Sequence, residues 1–462
     1  MGKQRLSHVV ASKDAADQSR LDHLTGARCL ASVWIVCGHF VPRLEPTVFS
    51  AARHRGNTAV NFFIVMSGFI THWVYATRVL QGGQIRRFYV RRIGRVVITT
   101  WIAMLLGVAV LLVQLRGQCP DLGHLLRCFL FVETWHDPVD WCPNGQTWTV
   151  AALLPSWLLY PLTCRAVAAA ERCGGATALA ALAALLWLVS FGPLWVLFVR
   201  QGSWITNKQG VWGYVWPPSQ LADFALGVTT AALARRHAAA ASSASEEDSD
   251  EQEPGMRRVW ARGLLADGCI LIVGLTCLCA PWYGGREGWE PLFNHGFGLL
   301  FAAFLYGSAA GGGSGLVARL FRHDVLVCLG AYSFEVYLFQ YPVHEIFVAV
   351  GDVSGAFDMR NAKGEYNNNS CGFVVFFFSL WLAAGLYAEF VESHLIRWLQ
   401  VEAASGGDCT SQVSKGYTSH KDRAAMAGGA VYEQLAEETD IERSESAIPL
   451  VPADPSSPPS RS

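Results

Sequence analysis

Residues 96–115 read VVITTWIAMLLGVAVLLVQL, twenty consecutive positions without one Asp, Glu, Lys or Arg. An α-helix of that length is about as long as the hydrocarbon core of a bilayer is thick, roughly 30 Å. In lipid such a stretch has to be helical, because every backbone N–H and C=O must find its partner within the segment. Nine more apolar blocks have comparable length, which places candidate spans at 24–42, 58–77, 96–115, 145–164, 176–199, 213–234, 263–281, 295–313, 325–350 and 371–392. Pro155, Pro217 and Pro218 interrupt the fourth and sixth, and the apolar run 122–135 is too short to cross, so it reads as interfacial or re-entrant. The composition agrees: 52% of residues are hydrophobic and 16% charged, where soluble proteins carry about 25% charged residues. The expected fold is therefore an all-α polytopic membrane protein, about ten transmembrane helices in one bundle with a central cavity.

A net charge of −1 with no basic domain gives nucleic acid nothing to bind, so the lipid bilayer is the expected partner. The 13 cysteines are too sparse for a disulfide scaffold, and seven of them (Cys29, Cys37, Cys164, Cys269, Cys277, Cys279, Cys328) lie in or against apolar blocks. Lys and Arg number 25 on the side of both termini and 10 on the other, which puts both termini in the cytoplasm. Five of the 25, Arg86, Arg87, Arg91, Arg92 and Arg95, fall within ten residues after the second span. The chain then divides into a cytoplasmic tail over 1–20, a membrane domain over 21–395 and a disordered cytoplasmic tail over 396–462. An acidic loop at 238–256, containing SSASEEDSDEQE, has too little apolar surface to fold and is expected to be disordered. The first block begins only at Leu24, so the first span is expected to be an uncleaved anchor. Cys119, Cys128, Cys142 and the Asn368-Asn369-Ser370 sequon fall on the outer or lumenal side, where disulfides can form.

Ionisable residues inside a span cost about 2.5–3.5 kcal/mol each on insertion scales, so those present invite an explanation. Arg28 and His39 in the first span are eleven residues apart, close to three turns, which places them on one face about 16 Å apart along the axis. The plain alternative is that Arg28 snorkels to the headgroups and His39 marks a helix end. Asp223 and Glu335 are acids within spans six and nine, each either a partner for Arg28 or a buried acid held by neighbouring helices.

Arg20 through Arg28 (RLDHLTGAR), followed by Ala31, Val36 and His39, resembles the opening of the integral membrane acyltransferase-3 family, in which an arginine precedes an essential histidine on the first helix. The resemblance continues through Gly56–Ile70 (GNTAVNFFIVMSGFI), Arg91–Arg95 (RRIGR), Asn144 with Trp148-Thr149-Val150, Tyr160-Pro161, Leu221–Gly227, Gly330–Leu338 and Glu392. It implies an O-acyltransferase that carries an acyl group, acetyl being the expected one, from cytosolic acyl-CoA to a hydroxyl of a glycan or lipid acceptor, without a metal. Histidine is the side chain suited to removing a hydroxyl proton at neutral pH, and it can also accept an acyl group itself; His39 is the candidate for either role. Arg91, Arg92 and Arg95 are on the side where coenzyme A is found and are candidates for its phosphates, or else serve only to orient the chain. Arg28 is the candidate for holding a phosphate or a developing negative charge. Departures from the family pattern are Leu153 where many members carry a glutamate, Gln340 where they carry a histidine, and Ile98 where a proline is expected. A second reading is a transporter or channel whose path is formed by Arg28, Asp223 and Glu335.

Overall fold

The computed structural model describes residues 21–41, 55–80, 85–114, 121–135, 141–202, 214–247, 252–279, 292–354 and 370–405. No strand occurs among them. In chain order the helices are α1 (Asp22–Phe40), α2 (Gly56–Leu80), α3 (Ile85–Phe88), α4 (Gly94–Gln114), α5 (Leu122–Phe129), α6 (Trp148–Ser190), α7 (Gly192–Gln201) and α8 (Pro217–Glu247). They continue with α9 (Gln252–Cys279), α10 (Gly298–Ala310), α11 (Leu316–Phe321), α12 (Asp324–Ala331), α13 (Ser333–Ser354), α14 (Ser370–Tyr387) and α15 (Ser393–Ser405). Three π-helical turns, Tyr89–Ile93, Leu292–Gly296 and Ala388–Glu392, lead into α4, α10 and α15.

Helix runs through each of the ten expected stretches over their described residues. Among the described residues, six helical stretches are long and apolar enough to cross a membrane: Gly56–Thr77, Ile85–Val113, Gly145–Arg200, Arg257–Cys279, Leu292–Ala310 and Cys371–Leu399. The expected fourth and fifth spans are two helical segments that meet at a kink at Gly175, whose φ of 59° is a conformation that glycine adopts without a Cβ penalty. The ninth is broken between α12 and α13. Polar side chains, among them Arg28, Asp223 and Glu335, lower the hydropathy of α1, α8 and α13. Helix also enters the expected acidic loop from both sides. Helix α8 continues to Glu247 and α9 begins at Gln252, which fits the Ala238–Ala241 run, alanine being the strongest helix former. Residues 1–20 and 406–462, with Asn368 and Asn369, lie outside the described residues.

Lipid contact and internal packing are written on opposite faces. Leu105, Val113, Leu162, Phe378 and Phe390 are exposed, as a hydrocarbon-facing belt requires, while α8 is packed against α2, α6 and α10. Glycine sets how closely α8 and α2 approach. A Cβ on Gly68 would collide with the Phe224 carbonyl and one on Gly227 with the Val65 carbonyl, a reciprocal contact that only two glycines permit. Helix α1 is held the same way, Gly26 against the Phe321 carbonyl and Gly330 against the Thr25 carbonyl.

Proline shapes α13. Pro342 has no N–H, so the carbonyl four residues earlier, that of Leu338, loses its helical partner. Asn144 supplies it, Nδ2 donating to Leu338 O at 2.8 Å, while its Oδ1 accepts from the Gln146 N–H at 3.3 Å to cap the turn that starts α6. The preceding residues are tied to α5 by a Cys128–Cys142 disulfide.

Two measurements test this packing. Gly227→Val is expected to cut the yield of monodisperse, detergent-extracted protein by about tenfold, as a backbone collision should; normal yield would contradict the reciprocal contact. Glu133, in the turn after α5, is buried, and burial pushes its carboxyl up to about 8. An acid raised in the folded state costs stability as pH climbs from its ordinary value to the raised one. Glu133→Gln should therefore raise the melting temperature at pH 8 and leave it nearly unchanged at pH 4, whereas equal shifts at both would sink the assignment.

Candidate active site

The site is built between α1 and α13. His39 stands in the last turn of α1 and is exposed there. Its Nδ1 lies 3.0 Å from Gln340 Oε1, and the Gln340 Nε2 donates to the Tyr337 carbonyl at 2.8 Å. A carbonyl only accepts, so that second bond fixes which end of the amide is oxygen. His39 must then donate from Nδ1, and its Nε2 is left with a lone pair, the form in which an imidazole acts as base or nucleophile. Gln340 is fully buried, held within the helix whose Leu338 carbonyl Asn144 secures.

Arg28, Arg91, Arg92 and Arg95 come together on the walls of one cavity of about 170 Å³. His39 is not among its lining residues. The cavity is lined along α2 from Tyr75 to Val60, a run of about 22 Å at helical rise. Gly56, one turn before Val60, sits against Ile35, one turn before His39, so the cavity extends toward the histidine's end of the bundle. Tyr337, the residue whose carbonyl receives Gln340, also lines it, as do Ser67, Thr149 and Leu153. Leu153, which stands where the resemblance leads one to expect a glutamate, gives the cavity an apolar wall there.

The π turn Tyr89–Ile93 carries Arg91 and Arg92, and Arg91 is buried. Arg95, one turn on, is spanned by a carboxylate: Nε donates to Glu392 Oε1 at 2.9 Å and Nη2 to Oε2 at 3.1 Å, a two-pronged pair. Thr99 donates to the same Glu392 Oε1 at 3.2 Å, and Glu335 stands 3.6 Å from Arg95. Asp223 meets His295 instead, at 2.7 Å. The two intramembrane acids therefore belong to different clusters. His124, Cys128 and Cys142 approach within metal-ligand distance of one another, but the two sulfurs are joined to each other.

A family model described as an acyltransferase domain matches residues 21–388. The chain belongs to the acyltransferase-3 family. No curated protein and no solved structure matched it. Family membership and the apolar helices together make it a multi-pass membrane acyltransferase, and the matched region holds Arg28, His39, the arginine turn, Gln340 and every lining residue of the cavity except Ile396 and Leu399.

Sequence reading passed over two parts of this acyltransferase's site. Gln340 registered only as a departure from the family pattern; the signal that it faces α1 was Pro342 two residues later, which marks where α13 needs outside partners. Glu392 was matched without a role, and its partner Arg95 is 297 residues away in sequence.

Gln340→Leu keeps the volume and removes the acceptor, so it is expected to lower kcat by about 10–100-fold with KM for the donor little changed. Gln340→Glu should restore much of the rate. Unaltered kcat in the leucine variant would remove Gln340 from the site.

Proposed function

We propose that the chain transfers an acetyl group from cytosolic acetyl-CoA to a hydroxyl of a glycan or lipid at the opposite membrane face. The observation that carries the reading is the pairing of a tautomer-locked His39 with an arginine-lined cavity that runs toward it along α2. Coenzyme A carries several phosphates, which guanidinium groups bind well. Arg28, Arg91 and Arg92 are assigned to them. Arg95, already bridged by Glu392, is assigned to holding the arginine turn in place. The excess of Lys and Arg on the side of the termini supports the reading in which the arginine end and both termini are cytoplasmic and His39 is near the outer or lumenal face.

The pantetheine arm extends through the cavity and brings the thioester to the histidine. His39 Nε2 removes the acceptor's hydroxyl proton as the oxygen attacks the acetyl carbonyl. The C–O bond forms, the C–S bond breaks, and the proton passes to the departing thiolate. Arg28, in low dielectric on the same helix face, favours the donor's negative charge. The same geometry accommodates a two-step route in which Nε2 takes the acetyl group first and passes it on.

Vesicles containing the purified chain, supplied with acetyl-CoA and a membrane extract as acceptor, should release free CoA thiol. His39→Ala should reduce that release at least about 100-fold while the protein accumulates normally. Arg92→Ala should raise KM for acetyl-CoA about tenfold with kcat nearly unchanged. Full transfer by the alanine variant of His39 would overturn the proposal.

A further inference from the structure

A second polar cluster lies apart from the His39–Gln340 pair, between α2, α8 and the start of α10. Asp223 is fully buried, and its Oδ2 receives two donors, Asn61 Nδ2 at 2.9 Å and His295 Nδ1 at 2.7 Å. A carboxylate accepts, so His295 donates from Nδ1 and, as a neutral ring, leaves an accepting lone pair on Nε2. Asn61 and His295 are likewise fully buried. Three buried atoms then stand without a hydrogen-bond partner among the described residues: Asp223 Oδ1, Asn61 Oδ1 and His295 Nε2. All three are acceptors; Ser190, the one hydroxyl that reaches Asp223, also reaches the Trp187 carbonyl.

Two of them converge on one small space. A methyl group on Gly298 would stand 3.3 Å from Asp223 Oδ1, 3.7 Å from Asn61 Oδ1 and 3.5 Å from Leu226 Cδ2. The absent side chain of Gly298 is therefore what leaves room beside both oxygens. The Ser190 hydroxyl, which donates to the Trp187 carbonyl at 2.7 Å, lies beside the same carboxylate and adds a further oxygen. The π turn Leu292–Gly296 brings His295 into the cluster, as the other two π turns bring in the arginines and Glu392.

We propose that Asp223, Asn61 and Ser190, in the space left open by Gly298, form a binding site for a sodium ion. Hard cations take oxygen ligands from carboxylates, amide carbonyls and hydroxyls, which is the set present. One carboxylate with neutral companions balances a single positive charge at a depth where an unbalanced one is costly. A divalent ion would leave the cluster charged. The site uses none of the residues assigned to acyl transfer, so it stands or falls independently of that activity.

The full-length protein in nanodiscs would be melted in sodium chloride and in N-methyl-D-glucamine chloride at equal ionic strength, and its retention of radioactive ²²Na⁺ measured. The expected result is saturable ²²Na⁺ binding and a melting temperature several degrees higher in sodium. Asp223→Asn should abolish both effects. Gly298→Ala, which keeps every ligand and fills the space, should weaken binding at least about tenfold and serves if the aspartate variant fails to fold. Coincident melting curves and no retained sodium in the wild-type protein would overturn the proposal and give the space to a water molecule. Undiminished binding by Gly298→Ala would overturn it as well, because the ion would then be held elsewhere.

Discussion

In a hydrocarbon surrounding, a polar group removed from its helical partner has to be answered by another group of the same chain, and the acyltransferase centre is assembled from such answers. Pro342 deprives the Leu338 carbonyl of a donor, and Asn144 provides one across the bundle. The Gln340 amide nitrogen is taken by its own helix through Tyr337, which leaves its oxygen to receive His39. The imidazole orientation that chemistry needs follows from satisfying α13. At the other end, Glu392 answers Arg95 with both oxygens, fixing the turn that carries Arg91 and Arg92.

Helical irregularity and function coincide in this chain. Each of the three π turns carries an ionisable residue into a buried cluster: Arg91 and Arg92 beside the cavity, His295 against Asp223, and Glu392 against Arg95. An extra residue in a helical turn redirects the side chains that follow it, and π turns recur at functional sites for that reason. Glycine does the complementary work. Gly68 and Gly227 bring α2 and α8 into backbone contact, so the cavity wall on α2 and the Asp223 cluster on α8 share one rigid seam.

Much of this was legible in the sequence. Uncharged runs of some twenty residues announced membrane helices, and the ordered motifs gave the family. Three features were not. The kink at Gly175 and the break before α13 depend on local backbone geometry that hydropathy does not register. The Arg95–Glu392 and His39–Gln340 contacts join residues about 300 positions apart, a separation that no local pattern encodes. Gln340 looked like a lost family residue, because spacing tells which face a side chain occupies but not which atom it presents.

The central claim is that donor phosphates at the arginine end and a thioester at His39 are two ends of one bound molecule. An electron cryo-microscopy map of the full chain in nanodiscs with a non-hydrolysable thioether analogue of acetyl-CoA tests it most directly. The account predicts the phosphates against Arg28, Arg91 and Arg92, the arm threading the cavity along α2, and the thioether sulfur in reach of His39 Nε2. Density that stops outside the cavity, or a His39 ring turned into lipid away from Gln340, would contradict it.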